Sequence, residues 1–249
     1  MSLGAARAAN TRQYQLLNTG TITSTGSQTY SIPVGTLYLE IEMWGAGGGG
    51  GAKTALGSGR SATRYSGAGG GGGAYLKKTY YGAADMQAAD TLNFTIGAGG
   101  AGGAVDNTGA IGGATSLDTH KRTLPTPVTI TTFSNVEAGG GRGGAIATAG
   151  DTTADGGLGG VATNGDINTS GNKGEDVASA GQNFGAAGGA GADPDGGAGG
   201  AGANPLPIAD AVAGTQPGGG GGGGRNAGMG SGILGANGGD GKVIVKAYG

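Results

Sequence analysis

Leu37-Tyr38-Leu39-Glu40-Ile41-Glu42-Met43-Trp44 runs without a break into Gly45-Ala46-Gly47-Gly48-Gly49-Gly50-Gly51. The first half alternates. Leu37, Leu39, Ile41 and Met43 share one face, and Glu40 and Glu42 share the other with Tyr38 and Trp44. That period of two marks a half-buried strand. The second half has almost no side chain to bury. The same junction recurs: glycine tracts follow Ile96 and Val136 as well as Trp44, and another leads directly into Lys242. Further strand candidates are 27–34, 73–81, 90–96, 114–117, 127–136 and 242–248, rich in β-branched and aromatic residues and bounded by glycine. Seven such strands suffice for a small antiparallel β-sandwich-like core.

Composition narrows the fold. The 249 residues include 66 Gly and 7 Pro, whereas Leu, Ile, Val and Phe together number only 36. An ordinary domain holds roughly 7 % Gly and a far larger aliphatic share. A TIM barrel, a Rossmann fold or a helix bundle of this size could not be filled. Fourteen basic against sixteen acidic residues give a net charge of −2, so no basic surplus points to nucleic acid. With no Cys there is no disulfide framework and no thiolate metal site. Met1 to Arg7 lacks the apolar run of a secretory leader, and no stretch approaches the ~20 apolar residues of a membrane span. A chain made in the cytoplasm and not inserted into a membrane is expected.

The glycine tracts, at 47–51, 69–73, 97–103, 139–144, 156–160, 185–203, 218–224 and 228–241, are periodic. Gly185, Gly188 and Gly191 fall three apart, as do Gly196, Gly199 and Gly202, Gly97, Gly100 and Gly103, and Gly232, Gly235, Gly238 and Gly241. Three residues per turn is the repeat of a polyproline II type helix, which makes no internal hydrogen bonds. Its amides and carbonyls need partners outside it, and glycine lets neighbouring backbones supply them. Ordering one glycine costs roughly 1–2 kcal/mol, and each hydrogen bond returns about 0.5–1.5 kcal/mol. The balance is close, so the strands must bring the tracts together. The expected fold is mainly β, with a small antiparallel β-sandwich-like core and inserted glycine tracts packed as a polyglycine II helix bundle. It occupies residues 26–249 and follows a short N-terminal arm, 1–25, for attachment or oligomerisation. Residues 3–17 of that arm read as a short helix or as a segment that orders on a partner.

Motifs that resemble catalytic or ligand sites do not hold up. Ala46-Gly47-Gly48-Gly49-Gly50-Gly51-Ala52-Lys53-Thr54 approaches a phosphate-binding loop, but Ala52 stands where that pattern needs Gly. The following Ala55-Leu56-Gly57-Ser58-Gly59-Arg60 is a poor helix to aim at a phosphate. His120 is the one histidine, and its charged neighbours in 118–122 suggest a solvated turn. Asp193-Pro194-Asp195-Gly196 begins like a calcium loop but lacks the other ligands, and reads as a turn between two glycine helices. Asp151 and Asp155 have no evident acid–base partner. No catalytic, cofactor or metal residue is assigned, and a non-enzyme is expected. The large and charged residues outside the strands lie between tracts. Arg60, Arg64, Tyr65, Asn107, Phe184, Asn204, Leu206, Arg225, Asn226 and Met229 form the candidate binding set, because loops on a rigid scaffold carry recognition and aromatic and Arg residues anchor it.

A family resemblance rests on Tyr30-Ser31-Ile32-Pro33-Val34-Gly35-Thr36 and Leu39-Glu40-Ile41-Glu42-Met43-Trp44-Gly45-Ala46-Gly47-Gly48-Gly49. Together with 70–75, Leu92-Asn93-Phe94-Thr95-Ile96-Gly97-Ala98-Gly99-Gly100 and Ala236-Asn237-Gly238-Gly239-Asp240-Gly241-Lys242-Val243-Ile244-Val245, these resemble the glycine-rich domains of bacteriophage tail fibres and distal tail adhesins over roughly 26–249. The resemblance implies a virion protein of the tail fibre or tail tip, acting as a rigid adhesin. Its loops would meet a host cell-surface glycan or outer-membrane protein. Other virion proteins would hold it through residues 1–25, and it would self-associate, for example as a trimer. The alternative is a purely structural virion component such as a minor tail, head fibre or capsid decoration protein. A similar framework occurs in the extracellular glycine-rich region of a receptor tyrosine kinase family, from which the absence of Cys separates this chain.

Overall fold

The computed structural model of the chain describes residues 14–53, 66–81, 90–122, 128–132, 135–147, 153–177, 184–205, 208–225 and 233–249. The fold is mainly β, with no helix among the described residues. Its strands are β1 (Leu16–Ile22), β2 (Gly26–Ser31), β3 (Tyr38–Trp44), β4 (Tyr75–Tyr81), β5 (Thr91–Ile96), β6 (Thr115–Arg122) and β7 (Val128–Thr132). They continue with β8 (Glu137–Ala138), β9 (Ala162–Thr163), β10 (Ile167–Thr169), β11 (Asn204–Pro205), β12 (Ile208–Ala209) and β13 (Lys242–Tyr248). A five-stranded antiparallel sheet runs β1-β13-β3-β4-β10, and a six-stranded one β2-β5-β6-β8-β9 with β7 also on β6; β11 and β12 form a separate ribbon.

The alternation read from β3 sets the core. Val245 stands opposite Ile41, and Met43 opposite both Val243 and Leu76. These side chains meet Tyr30, Leu92, Phe94, Ile96 and Leu117 of the second sheet in one buried cluster. On the outer face Glu40 pairs with Lys77 at 2.8 Å and Glu42 with Lys246 at 2.6 Å. Burial pushes the Glu40 carboxyl up, but the ammonium groups of Lys77 and Lys246 outweigh it and hold the carboxyl below its ordinary range.

Two expectations change here. Within the supposed arm, Leu16–Ile22 is no helix; it pairs antiparallel with β13, Thr19 opposite Lys246 and Ile22 opposite Val243, so the sheet claims it. Residues 1–13 lie outside the described residues. The supposed solvated turn at 118–122 is the second half of β6. His120 is buried, and its Nε2 lies 3.1 Å from Oδ2 of Asp90. Asp90 is itself only 1 % exposed, and a buried carboxylate needs such a partner.

The glycine tracts are extended strings that hydrogen-bond to one another. Among the described residues they span 45–52, 66–74, 97–104, 107–114, 139–147, 154–161, 170–177, 184–192, 196–203, 211–215, 217–225 and 233–241. Along 45–52, Gly45, Gly48 and Gly51 donate to the carbonyls of Ala74, Gly71 and Ala68. Ala46, Gly49 and Ala52 donate to Gly113, Ala110 and Asn107, and Gly47 and Gly50 to Gly239 and Ala236. Its carbonyls accept on the same cycle of three from 97–104, 139–147 and 217–225. Strings 66–74 and 217–225 likewise touch six others each, including one another and 45–52. These three form the centre. The other nine enclose them, each bonded to the next in chain order and the last, 233–241, closing onto 97–104.

Residue type follows position. The central strings carry the unbroken runs Gly47–Gly51, Gly69–Gly73 and Gly218–Gly224, and all are buried. A Cβ at Gly48, Gly71 or Gly221 would overlap the carbonyl of Arg142, Leu158 or Ala236 respectively. Strings of the ring present a side chain to solvent at every third residue: Ala98, Ala101 and Ala104; Asp155, Leu158 and Val161; Ala198 and Ala201. Some of these side chains close the ring. Oδ1 of Asp240 accepts the Gly99 N–H at 2.7 Å and Oδ1 of Asn237 accepts the Gly102 N–H at 2.8 Å, three residues apart on both strings. At the base the 193–195 turn folds over Trp44, whose Nε1 donates to the Pro194 carbonyl at 2.8 Å.

Candidate functional site

String 45–52 leaves β3 and string 66–74 returns to β4, and later strings alternate in the same way. Six pairs of string ends therefore meet far from the sandwich, joined in sequence by 53–65, 105–106, 148–153, 178–183, 204–210 and 226–232. Bridges tie these string ends, Ala52 to Asn107, Ser66 to Arg225, Gly67 to Ile146 and Ala154 to Val177. Ala68, Ala147, Ala154, Val177 and Ala186 form a small buried apolar cluster at the same level. The rim thus stands on a closed floor.

Four of the ten candidate residues, Asn107, Phe184, Asn204 and Arg225, are among the described residues, and they fall at the string ends of this level. Asn107 follows a tight turn in which its N–H donates to Ala104 O at 2.9 Å and its Nδ2 to Val105 O at 3.2 Å. Asp106 occupies that turn with φ of 65°, a left-handed conformation Asp tolerates. Phe184 is 48 % exposed at the start of its string. Asn204 is exposed and opens the β11–β12 ribbon opposite Ala209. Arg225 departs from the rest: it is only 6 % exposed, bridged to the fully buried Ser66. Its position is in the floor rather than on the outer surface. Arg60, Arg64, Tyr65, Leu206, Asn226 and Met229 lie outside the described residues.

Two polar features escaped the sequence reading. Lys53 Nζ lies 2.9 Å from Asp106 Oδ1, linking the end of string 45–52 to the 105–106 turn. On 170–177, Lys173 and Asp176 are three apart and therefore on one face, with Nζ 2.6 Å from Oδ1. The Lys173 ammonium and the Gly156 N–H hold the Asp176 carboxyl below its ordinary value. The period of three, applied to charged residues as well as to glycine, would have paired them. Among the described residues no group of three or more His, Cys, Asp or Glu is placed to hold a metal ion, and no helix is long and apolar enough to cross a membrane.

No curated protein matches the chain. Its sequence does match a family pattern over residues 22–248, from the last residue of β1 to the last of β13. That span takes in every glycine string and every strand except residues 16–21 of β1, and on it the chain belongs to the glycine-rich domain family.

Proposed function

We propose that the strings are polyglycine II helices packed as a bundle, and that the rim they carry is the recognition surface of a virion attachment protein. The helical reading is supported by the cycle of three along 45–52, 66–74 and 217–225, in which successive amides turn to different neighbours, as a helix of three residues per turn requires. Amide exchange tests it. Protection of 185–192, 196–203 and 218–224 comparable to that of β3 is expected, and exchange at free-peptide rates would reduce the molecule to a sandwich with tethers.

One observation carries the functional reading: six pairs of string ends gather far from the sandwich, and Asn107, Phe184, Asn204 and Arg225 of the candidate set lie at them. Preorganised loops lose little conformational entropy on binding. The protein would sit at the tail fibre or tail tip and bind a host-surface glycan or outer-membrane protein. It would be held by other virion proteins through its N-terminal segment and would act as a non-enzyme without cofactor. Labelled protein should bind host cells, and Phe184→Ala together with Leu206→Asp should abolish binding with the melting temperature unchanged. A second reading, a purely structural virion component, draws on the Lys53–Asp106 ion pair and the buried Arg225, which close the rim internally. Absence of cell binding, with the labelled chain imaged on the shell or tail tube, would favour it.

A further inference from the structure

The two sides of the sandwich end differently. On one side the outermost strands are β9, of two residues, and β10, of three. Between them Asp166 pairs with Lys78 at 2.9 Å. Very short strands and a charge are the ordinary means of blunting a sheet edge. On the other side the outermost strands are β1, of seven residues, and β2, of six. Among the described residues β1 pairs only with β13 and β2 only with β5, so each leaves one edge open. The two edges lie together, since the Tyr30 hydroxyl of β2 donates to Asn18 Oδ1 of β1 at 3.3 Å.

Apart from a register irregularity of β1 between Leu16 and Asn18, the usual blunting devices are missing from these edges among the described residues. Neither strand contains Pro, and residues 13–39 contain no charged side chain at all. An apolar cluster adjoins the start of β1. Tyr14, Leu16 and Leu17 are 41 %, 50 % and 41 % exposed. Tyr14 packs edge-on against Tyr38 at 4.8 Å, and Tyr38 stacks on Tyr248 at 4.5 Å and on the 77 % exposed Tyr81 at 5.6 Å.

We infer that the β1–β2 side is the interface with a second copy of this chain, β1 pairing antiparallel with β1 of the partner copy across a two-fold axis. Neutrality selects this occupant. A two-fold contact sets residue i against residue j and j against i, so in an antiparallel β1–β1 pair the residues nearest the axis meet their own kind, where a charge would face a like charge, and like charges directly opposite in a sheet repel. A chain that keeps 27 consecutive residues uncharged along its longest open edges meets that condition.

The test is sedimentation velocity of the full chain at micromolar concentration. Thr19 and Thr21 are exposed and lie on the face of β1 opposite to Gly20, against which Tyr30 packs. The unaltered chain is expected to be dimeric. Thr19→Lys with Thr21→Lys should be monomeric at unchanged melting temperature, as should Thr19→Glu with Thr21→Glu. Mixing the two should restore a dimer, which a heterotypic or non-pairing role for β1 would not produce. Should the paired substitutions fail to fold, Ser27→Lys on β2 serves the same purpose. A monomeric unaltered chain, or a lysine variant that stays dimeric, overturns the inference. A monomer that dimerises only after removal of residues 1–13 does so too, assigning the edge to the chain's own N-terminal residues. None of these readouts involves a receptor, so they stand apart from the outcome of the cell-binding test.

Discussion

At Trp44–Gly45 the chain passes between two kinds of interior. In the sandwich, Ile41, Met43, Phe94 and Val245 are excluded from water by each other's side chains, and stability follows apolar area. Among the strings, Gly48, Gly71 and Gly221 are equally buried, yet bring no apolar side chain. Their burial is supported by amide–carbonyl bonds to neighbouring strings. The two interiors differ in what they tolerate. A sandwich relaxes around a lost methyl group, whereas a main-chain contact has no side chain that can rotate away.

That difference predicts an order of damage. Gly48→Val, whose Cβ would overlap the Arg142 carbonyl, should have the largest effect, about 5 kcal/mol or more in denaturant melts. Gly199→Val and Gly235→Val, directed at the carbonyls of Gly188 and Gly50, should follow; normal melting of all three would erase the contrast between the interiors. Phe94→Ala in the sandwich should cost about 3–5 kcal/mol, as expected of a cavity. Asp240→Ala should cost about 1 kcal/mol and speed exchange of the Gly99 amide while leaving β3 amides unchanged.

Acid should act more weakly. The Lys78 ammonium and the Thr79 N–H hold Asp166 below its ordinary carboxyl value, and Asp176 is held low by Lys173 and Gly156. Both carboxyls titrate lower in the fold than in the open chain. Their contribution is therefore complete above about pH 4 and lost as pH falls through the folded values. Each is well exposed, so the melting temperature should drop by only about 1–3 °C per pair, and Asp166→Asn should flatten its share. Ala101→Ser, on an outward position, should change stability by less than about 0.5 kcal/mol.

The strands with clear alternation were legible in the sequence, because a two-sided environment imposes it; β3, β5 and β13 are the examples. β1 was not: Asn18, Thr19, Gly20 and Thr21 carry no strand pattern, and its partner lies at the other end of the chain. The continuation of β6 was hidden by Asp118, His120, Lys121 and Arg122, charges that the partner Asp90 makes compatible with a strand. Period three shows which residues of a string face a neighbour but not which neighbour. That the strings at 47–51, 69–73 and 218–224 are central was written in their unbroken glycine, since a string enclosed on every side can spare no position for a side chain. The string ends were legible as the borders of the glycine tracts. The burial of Arg225 was not, because an arginine beside a loop looks the same whether it faces out or in.

The cycle of three also constrains how such a chain can change in length. Adding or removing one residue within 196–203 would rotate Gly197 and Gly200 out of contact with 217–225 and drive Ala198 and Ala201 inward. Only triplets would leave the faces in phase, much as a reading frame survives only codon-sized insertions. The connections at the rim carry no such phase. Variation in the lineage of this fold should accordingly arrive as whole triplets within the strings and as any length at the rim, so that the outer surface can diversify while the body beneath it stays in step.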